Sequence, residues 1–119
     1  MHPTVQKYRE AWERRDPALL YALFTPDAIY QYRPWEAARG LQEIERYWSE
    51  KVVTQTNVRF EVLREHVCGN ELWLEWKAVV GLTGSVSSVS LSGVMILDLD
   101  SDLRIKKLTE YYFKTNKPS

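Results

Sequence analysis

The stretch Arg104–Lys114, RIKKLTEYYFK, decides the fold. It alternates as a strand does, with Leu108, Glu110 and Tyr112 on one side and Lys107, Thr109, Tyr111 and Phe113 on the other. Successive side chains of a strand point to opposite faces, so large rings on both sides mean that both faces pack against something. Glu110 is the anomaly, a carboxylate between Leu108 and Tyr112 on a face that otherwise reads as buried. An isolated charge is too costly to bury, so the group is expected to be hydrogen-bonded, paired or protonated.

The stretches before it have the same period. Val58–Cys68 and Leu72–Leu82 read as strands joined by a tight turn at Cys68-Gly69-Asn70. In the second, Leu74, Trp76, Ala78 and Val80 share a face, with Trp73, Glu75, Lys77 and Val79 on the reverse. A Gly/Ser-rich crossing over residues 84–88 leads to a strand at Val89–Leu97, where Val89, Leu91, Gly93, Met95 and Leu97 align. Asp98–Asp102, DLDSD, reads as a solvated hairpin, because it lacks the glycine and closing glutamate of a calcium loop.

The N-terminal half changes period. Over Thr4–Arg15, Val5, Tyr8, Ala11, Trp12 and Arg15 fall at helical spacing above a polar face of Lys7, Arg9, Glu10, Glu13 and Arg14. Tyr8 and Trp12 stand four residues apart and project from the same side. Asp16 can cap the next turn and Pro17 fits its first position. A short helix carrying Leu19, Leu20, Leu23 and Phe24 then ends before Pro26, which disfavours helix in Thr25. Ala28–Arg33 reads as a strand with Ala28, Tyr30 and Tyr32 facing one way. Residues 34–40 read as a connection containing Trp35. A third helix follows at Leu41–Val52, with Leu41, Ile44, Trp48 and Val52 as its apolar stripe and Tyr47 beside it. This order is α+β: three N-terminal helices packed on a strongly curved, mostly antiparallel sheet, in one domain spanning residues 1–119.

Composition narrows the function classes. Sixteen basic and sixteen acidic residues cancel, and no basic stripe with interleaved aromatics is present, so nucleic acid is not an expected partner. No apolar run approaches the roughly 18 residues of a membrane helix, and the polar N-terminus has no signal-peptide core. A cytoplasmic protein is expected, with no membrane partner. One cysteine, Cys68, and two histidines give no internal disulfide and argue against a metal site. No cofactor is implied. Five Trp and seven Tyr are more large, polar-tipped rings than a plain core needs, which suits a lined cavity for a small apolar or aromatic molecule.

The ordered residues Trp12, Asp16, Leu20, Leu23, Phe24, Asp27 and Ala28 resemble the nuclear transport factor 2-like superfamily in its SnoaL-like branch. So do Gly40, Ile44 and Trp48 in a helix, Gly93 in a late strand, and the ending Arg104-Ile105 to Leu108, Glu110, Tyr111 and Tyr112. The resemblance implies a cone in which helices and bent sheet enclose a pocket. It does not select a reaction, since such proteins include isomerases, cyclases, dehydratases, hydrolases and modules without ligands. Against the ketosteroid isomerase pattern, Tyr8 falls at the oxyanion-hole tyrosine, but Tyr32 and Gly93 fall where the catalytic aspartates belong. That chemistry is therefore not expected.

Glu110, Tyr8 and Tyr32 are the candidate catalytic groups. Burial would raise the Glu110 pKa toward the range a general acid or base needs, and phenols can donate to a developing oxyanion. Trp12, Tyr30, Trp48, Trp76 and Tyr112 are the candidate ligand-binding residues, with Trp35 at the mouth. The alternative is a non-enzymatic binding or association module in which Glu110 only ties the last strand to the first. Arg33 at the mouth and His66 late in its strand are lesser candidates, and Cys68 has no neighbour to activate it. The reverse face, with Trp73, Val79, Val94, Ile96, Tyr111 and Phe113, is too apolar to leave bare, and proteins of this resemblance commonly dimerise there, so a homodimer is expected.

Overall fold

In a computed structural model describing residues 1–84 and 86–118, the C-terminal strand occupies the centre of a single sheet. The elements run α1 (Pro3–Arg14), a 3-10 turn (Pro17–Leu19) leading into α2 (Leu20–Leu23), β1 (Phe24–Arg33), β2 (Glu36–Arg39), α3 (Leu41–Lys51), β3 (Gln55–Cys68), β4 (Glu71–Leu82), β5 (Ser87–Leu99) and β6 (Ile105–Pro118). The six strands are ordered β2-β1-β6-β5-β4-β3. All neighbours are antiparallel except β1 and β6, which run parallel with Tyr30 opposite Leu108. The mostly antiparallel α+β architecture is as expected.

The alternation in RIKKLTEYYFK is realised: Leu108 and Glu110 are buried and Tyr112 is half-buried, while Tyr111 and Phe113 are exposed. On β4, Leu74, Trp76, Ala78 and Val80 are buried, and Trp73, Glu75, Lys77 and Val79 face out. Helix α1 presents Val5, Tyr8, Ala11 and Trp12 to this concave surface. Tyr8, Trp12, Phe60 and Trp76 form a continuous cluster with ring centroids 5.4–6.1 Å apart. Edge-on and tilted ring contacts of this kind add about 0.5–1.5 kcal/mol each beyond area burial.

Several boundaries differ from the sequence reading. Residues 34–40 are not a plain connection: Glu36–Arg39 pairs with β1 as strand β2, closing a hairpin over Pro34-Trp35. Its short length and alanines hid the alternation. Strand β1 begins at Phe24, and Pro26 falls where the β1–β6 register shifts between Phe24 and Ile29, so the missing N–H breaks no regular ladder. Arg15 is outside the apolar stripe of α1, because it takes the left-handed conformation (φ 52°) that ends the helix. At the other end, His2 Nδ1 accepts a hydrogen bond from the Thr4 amide at 3.1 Å and caps α1. Asp16 caps as expected, its Oδ1 accepting from the Ala18 amide at 3.0 Å. In the 84–88 crossing, Ser85 lies outside the described residues.

Gly93 sits in the register between Trp76 on β4 and Tyr112 on β6. The strands approach so closely there that a Cβ on Gly93 would overlap the Tyr111 carbonyl oxygen and lie 2.7 Å from Tyr112 Cα. Any side chain at this position would force the sheet apart. The aspartate that the ketosteroid isomerase pattern places here has no room.

Candidate functional site

Helices α1 and α3 rest on the concave face of the sheet and leave a cavity of about 600 Å³ between them. Alternation decides what reaches it. Tyr8 and Trp12 come from α1, Tyr30 and Tyr32 from β1, Trp48 from α3, Trp76 from β4, and Glu110 and Tyr112 from β6; each lines the cavity. The structure thus brings together eight of the nine residues nominated from sequence. Trp35 is the exception: it stands at the tip of the β1–β2 hairpin, 83% exposed, and does not line the cavity. The turn aims it outward, and only its neighbours Arg33 and Glu36 reach the rim, with Glu50, Lys51 and Lys114.

Glu110 is 6% exposed and accepts a hydrogen bond on Oε1 from the Tyr30 hydroxyl at 2.6 Å. Among the described residues no basic group pairs with it. Burial therefore dominates and pushes its pKa up from 4.5 to about 7, while the Tyr30 hydrogen bond pulls it partly back. The same surroundings act on the phenols. Tyr8 and Tyr30 are raised well above the usual tyrosine value, first by burial and then by the nearby Glu110 carboxylate, so both stay protonated donors. Tyr47 is raised for the same two reasons.

Tyr47 has a larger part than its place beside the α3 stripe suggested. It lines the cavity and stacks on Tyr32 at 4.2 Å between ring centroids, with planes 22° apart. One signal was available, its position three residues after Ile44 on a helix facing the sheet. Gln55 gave none, because the strand before Val58 has no alternation to reveal it. Its Oε1 accepts the Trp12 indole N–H at 2.8 Å and fixes that ring against the cavity wall.

Of the lesser candidates, Arg33 reaches the rim as expected, and the others lie elsewhere. His66 is exposed on β3 opposite Trp73, and Cys68 is an exposed free thiol at the end of that strand. Neither touches the cavity. In the DLDSD turn, Asp100 Oδ1 accepts from the amides of Asp102 (2.9 Å) and Arg104 (2.8 Å), so its carboxylate is occupied in holding the hairpin. Among the described residues, no three His, Cys, Asp or Glu side chains are placed to share a metal ion. Among the described residues, no helix is long and apolar enough to cross a membrane.

The cavity can therefore hold a ring-sized molecule against aromatic walls, with one carboxyl group poised near neutrality and phenols beside it. Solved structures share this frame. The ketosteroid isomerase Δ5-3-ketosteroid isomerase of a Mycobacterium species superposes with TM-score 0.84 at 13% identity, over 96% of this chain and 95% of its own. A computationally designed binder of 17-OHP gives TM-score 0.85 at 15% identity, covering 98% and 96%. An epoxide hydrolase of Mycobacterium tuberculosis gives TM-score 0.78 at 15% identity, covering 92% and 80%. At these identities the likeness is one of fold. No curated protein matches the sequence significantly. The model of one sequence family, however, matches residues 5–108, from the first buried turn of α1 to the start of β6. With that match spanning the helices and the sheet as far as Leu108, the chain belongs to the SnoaL-like domain family.

Proposed function

We propose that the protein binds a small apolar or aromatic molecule in this cavity and moves a proton on it, with Glu110 as general acid or base. Isomerisation, cyclisation, dehydration and hydrolysis are reactions of this kind. The observation that carries the reading is the Glu110 carboxyl, buried in a cavity wall with no basic side chain paired to it among the described residues, so that burial pushes its pKa up to about 7. Such a group exists in both protonation states at neutral pH, as proton transfer requires. Tyr30 holds the carboxylate, and in this reading Tyr8 and Tyr32, which line the same cavity, donate to a polar atom of the ligand. Gly93 leaves no room for the second aspartate of the ketosteroid isomerase pattern, so that residue supplies no acid beside Glu110.

Proton transfer can be tested before a substrate is known. Aryl and cyclic ketones incubated with the protein in D2O should gain deuterium α to the carbonyl. The rate should rise as pH passes through about 7, where Glu110 ionises and becomes a base. Glu110→Gln should abolish exchange while leaving binding intact. If ketones that bind never exchange, the catalytic role is rejected. A second reading then stands, favoured by the Tyr30–Glu110 hydrogen bond that joins β1 to β6: a binding module in which Glu110 is structural.

The outer face of the sheet supports a homodimer. Trp73, Val79, Val94, Tyr111 and Phe113 are exposed on adjacent strands of this face, with Phe113 82% exposed, and Glu75, Lys77 and Ser92 are interspersed among them. Ile96 is half-buried, which narrows the band at that end.

A further inference from the structure

Glu110 gives the cavity an anion that the protein leaves unanswered. Its Oε1 accepts from Tyr30, but Oε2 meets no donor among the described residues. Oε2 is nevertheless not one of the side-chain atoms sealed away without a partner, so it keeps accessible surface, and the residue lines the cavity. Among the described residues, the titratable groups that face the carboxyl from the elements packed around it are phenols: Tyr8 on α1, Tyr30 on β1, Tyr47 on α3 and Tyr112 on β6. Strand β5 sets Met95 opposite it. Basic groups reach only the rim, where Arg33, Lys51 and Lys114 are exposed beside Glu36 and Glu50 and are screened by solvent. Around the anion the walls are rings. Eight of the lining side chains are Tyr or Trp, and Tyr32, Tyr47 and Tyr112 are only half-buried, so they offer surface to an occupant. The face of an aromatic ring is negative and attracts a cation within about 6 Å of its centroid.

We infer that the cavity takes an organic cation, a small ammonium compound with an apolar or aromatic body, whose charge lies between the Glu110 carboxylate and the ring faces. The inference rests on the small-molecule reading above and narrows its ligand class. Two independent features call for the same charge: an accessible carboxylate oxygen without a donor, and walls whose faces are negative. Folding has already stripped most of the water from the carboxylate, so a cation arriving beside Oε2 gains attraction in a weakly screened site at little further desolvation of the anion. A neutral occupant of the same shape displaces the remaining water from Oε2 and gives it no partner. Pairing with a cation also favours the ionised form of Glu110, which is the form that acts as a base.

The test is a matched pair of probes, phenyltrimethylammonium and tert-butylbenzene, which have the same shape and differ in one central atom, N+ against C. The quaternary cation has no proton to exchange, so any pH dependence of its binding belongs to the protein. Calorimetric titration of the unmodified protein at pH 8.5 should give at least tenfold tighter binding of the cation, although tert-butylbenzene is the more hydrophobic. At pH 5.5, below the Glu110 pKa of about 7, the carboxyl is protonated and the ratio should fall at least threefold. Tyr8, Tyr30 and Tyr47, raised by burial, stay protonated throughout and do not contribute. Glu110→Gln should cut the preference at least threefold at pH 8.5 and remove its pH dependence, with tert-butylbenzene binding reporting that the variant is folded. The inference is overturned if tert-butylbenzene binds the unmodified protein as tightly as the cation at pH 8.5, if the ratio is the same at both pH values, or if the variant keeps the full preference. If neither probe binds, the small-molecule reading fails together with the inference, an outcome distinct from equal binding of both.

Discussion

Glu110→Gln separates the burial of a carboxyl from the burial of a charge. The carboxyl pKa is raised from 4.5 to about 7 on folding, so the native state holds its proton more tightly than the unfolded chain does. Between these values the unfolded state binds fewer protons, and stability must fall as pH rises. The stabilisation is complete below pH 4.5 and gone once pH passes about 7. The separation is about 2.5 pH units, and at about 1.36 kcal/mol each the loss is about 3 kcal/mol. That is a large share of the roughly 5–15 kcal/mol stability of a domain. Glutamine keeps an oxygen for the Tyr30 hydroxyl and has no charge to bury. Urea unfolding of both proteins from pH 5 to pH 8.5 reads the difference directly, because every other titrating group is common to both. The variant should gain about 3 kcal/mol relative to the parent across this range, a midpoint shift of about 1–3 M urea. Parallel stability curves would refute the reasoning, since they would mean that Glu110 titrates alike in both states.

Tyr30→Phe removes the one hydrogen bond that favours the ionised carboxylate, so the Glu110 pKa should climb above its present value of about 7. Carboxyl 13C chemical shifts followed across pH check this. Gly93→Ala should destabilise the fold by about 1–3 kcal/mol by forcing β5 from β6 at the Tyr111 carbonyl, measured by thermal unfolding. The parent should sediment as a dimer at micromolar concentration. Tyr111→Glu, which places a charge beside Val94 on the outer face, should give a monomer with unchanged circular dichroism.

How much of this was legible in sequence depended on whether a residue's role followed from period alone. Strands β4 and β6 were read correctly because their alternation is long and uninterrupted, and it assigned Trp76, Glu110 and Tyr112 to the concave face. The nominated phenols of β1 followed in the same way. Period fails where an element is short or irregular. Strand β2, with Ala37 and Ala38 at its centre, carries too little contrast to show a face. Because it was missed, Trp35 was placed at the mouth when a hairpin turn aims it into solvent. A contact between distant segments was legible where an anomalous group demanded a partner, as Glu110 did, and illegible where none did: the Trp12–Gln55 bond joins residues 43 apart, and nothing local marks Gln55 as its acceptor. The buried indole N–H groups of Trp48 and Trp76, which meet no acceptor among the described residues, belong to the same class. Sequence shows that a ring is buried, but only packing shows that no lone pair meets its N–H.

A structural role for Glu110 has one difficulty that period and packing together expose. If the residue served only to join β6 to β1, glutamine would accept the same hydrogen bond from Tyr30 and would spare the fold the cost of a buried charge at neutral pH. Leucine would suit the surrounding apolar face still better, at the expense of that single bond. The acid is the least stable of these choices above pH 7, and proteins tolerate such choices where function requires them. The decisive pattern is therefore a dissociation within one variant. Glu110→Gln that is more stable than the parent at pH 8, still binds ketones and no longer exchanges their α-protons would show that the proton on Glu110, and not its hydrogen bond, is what the site retains.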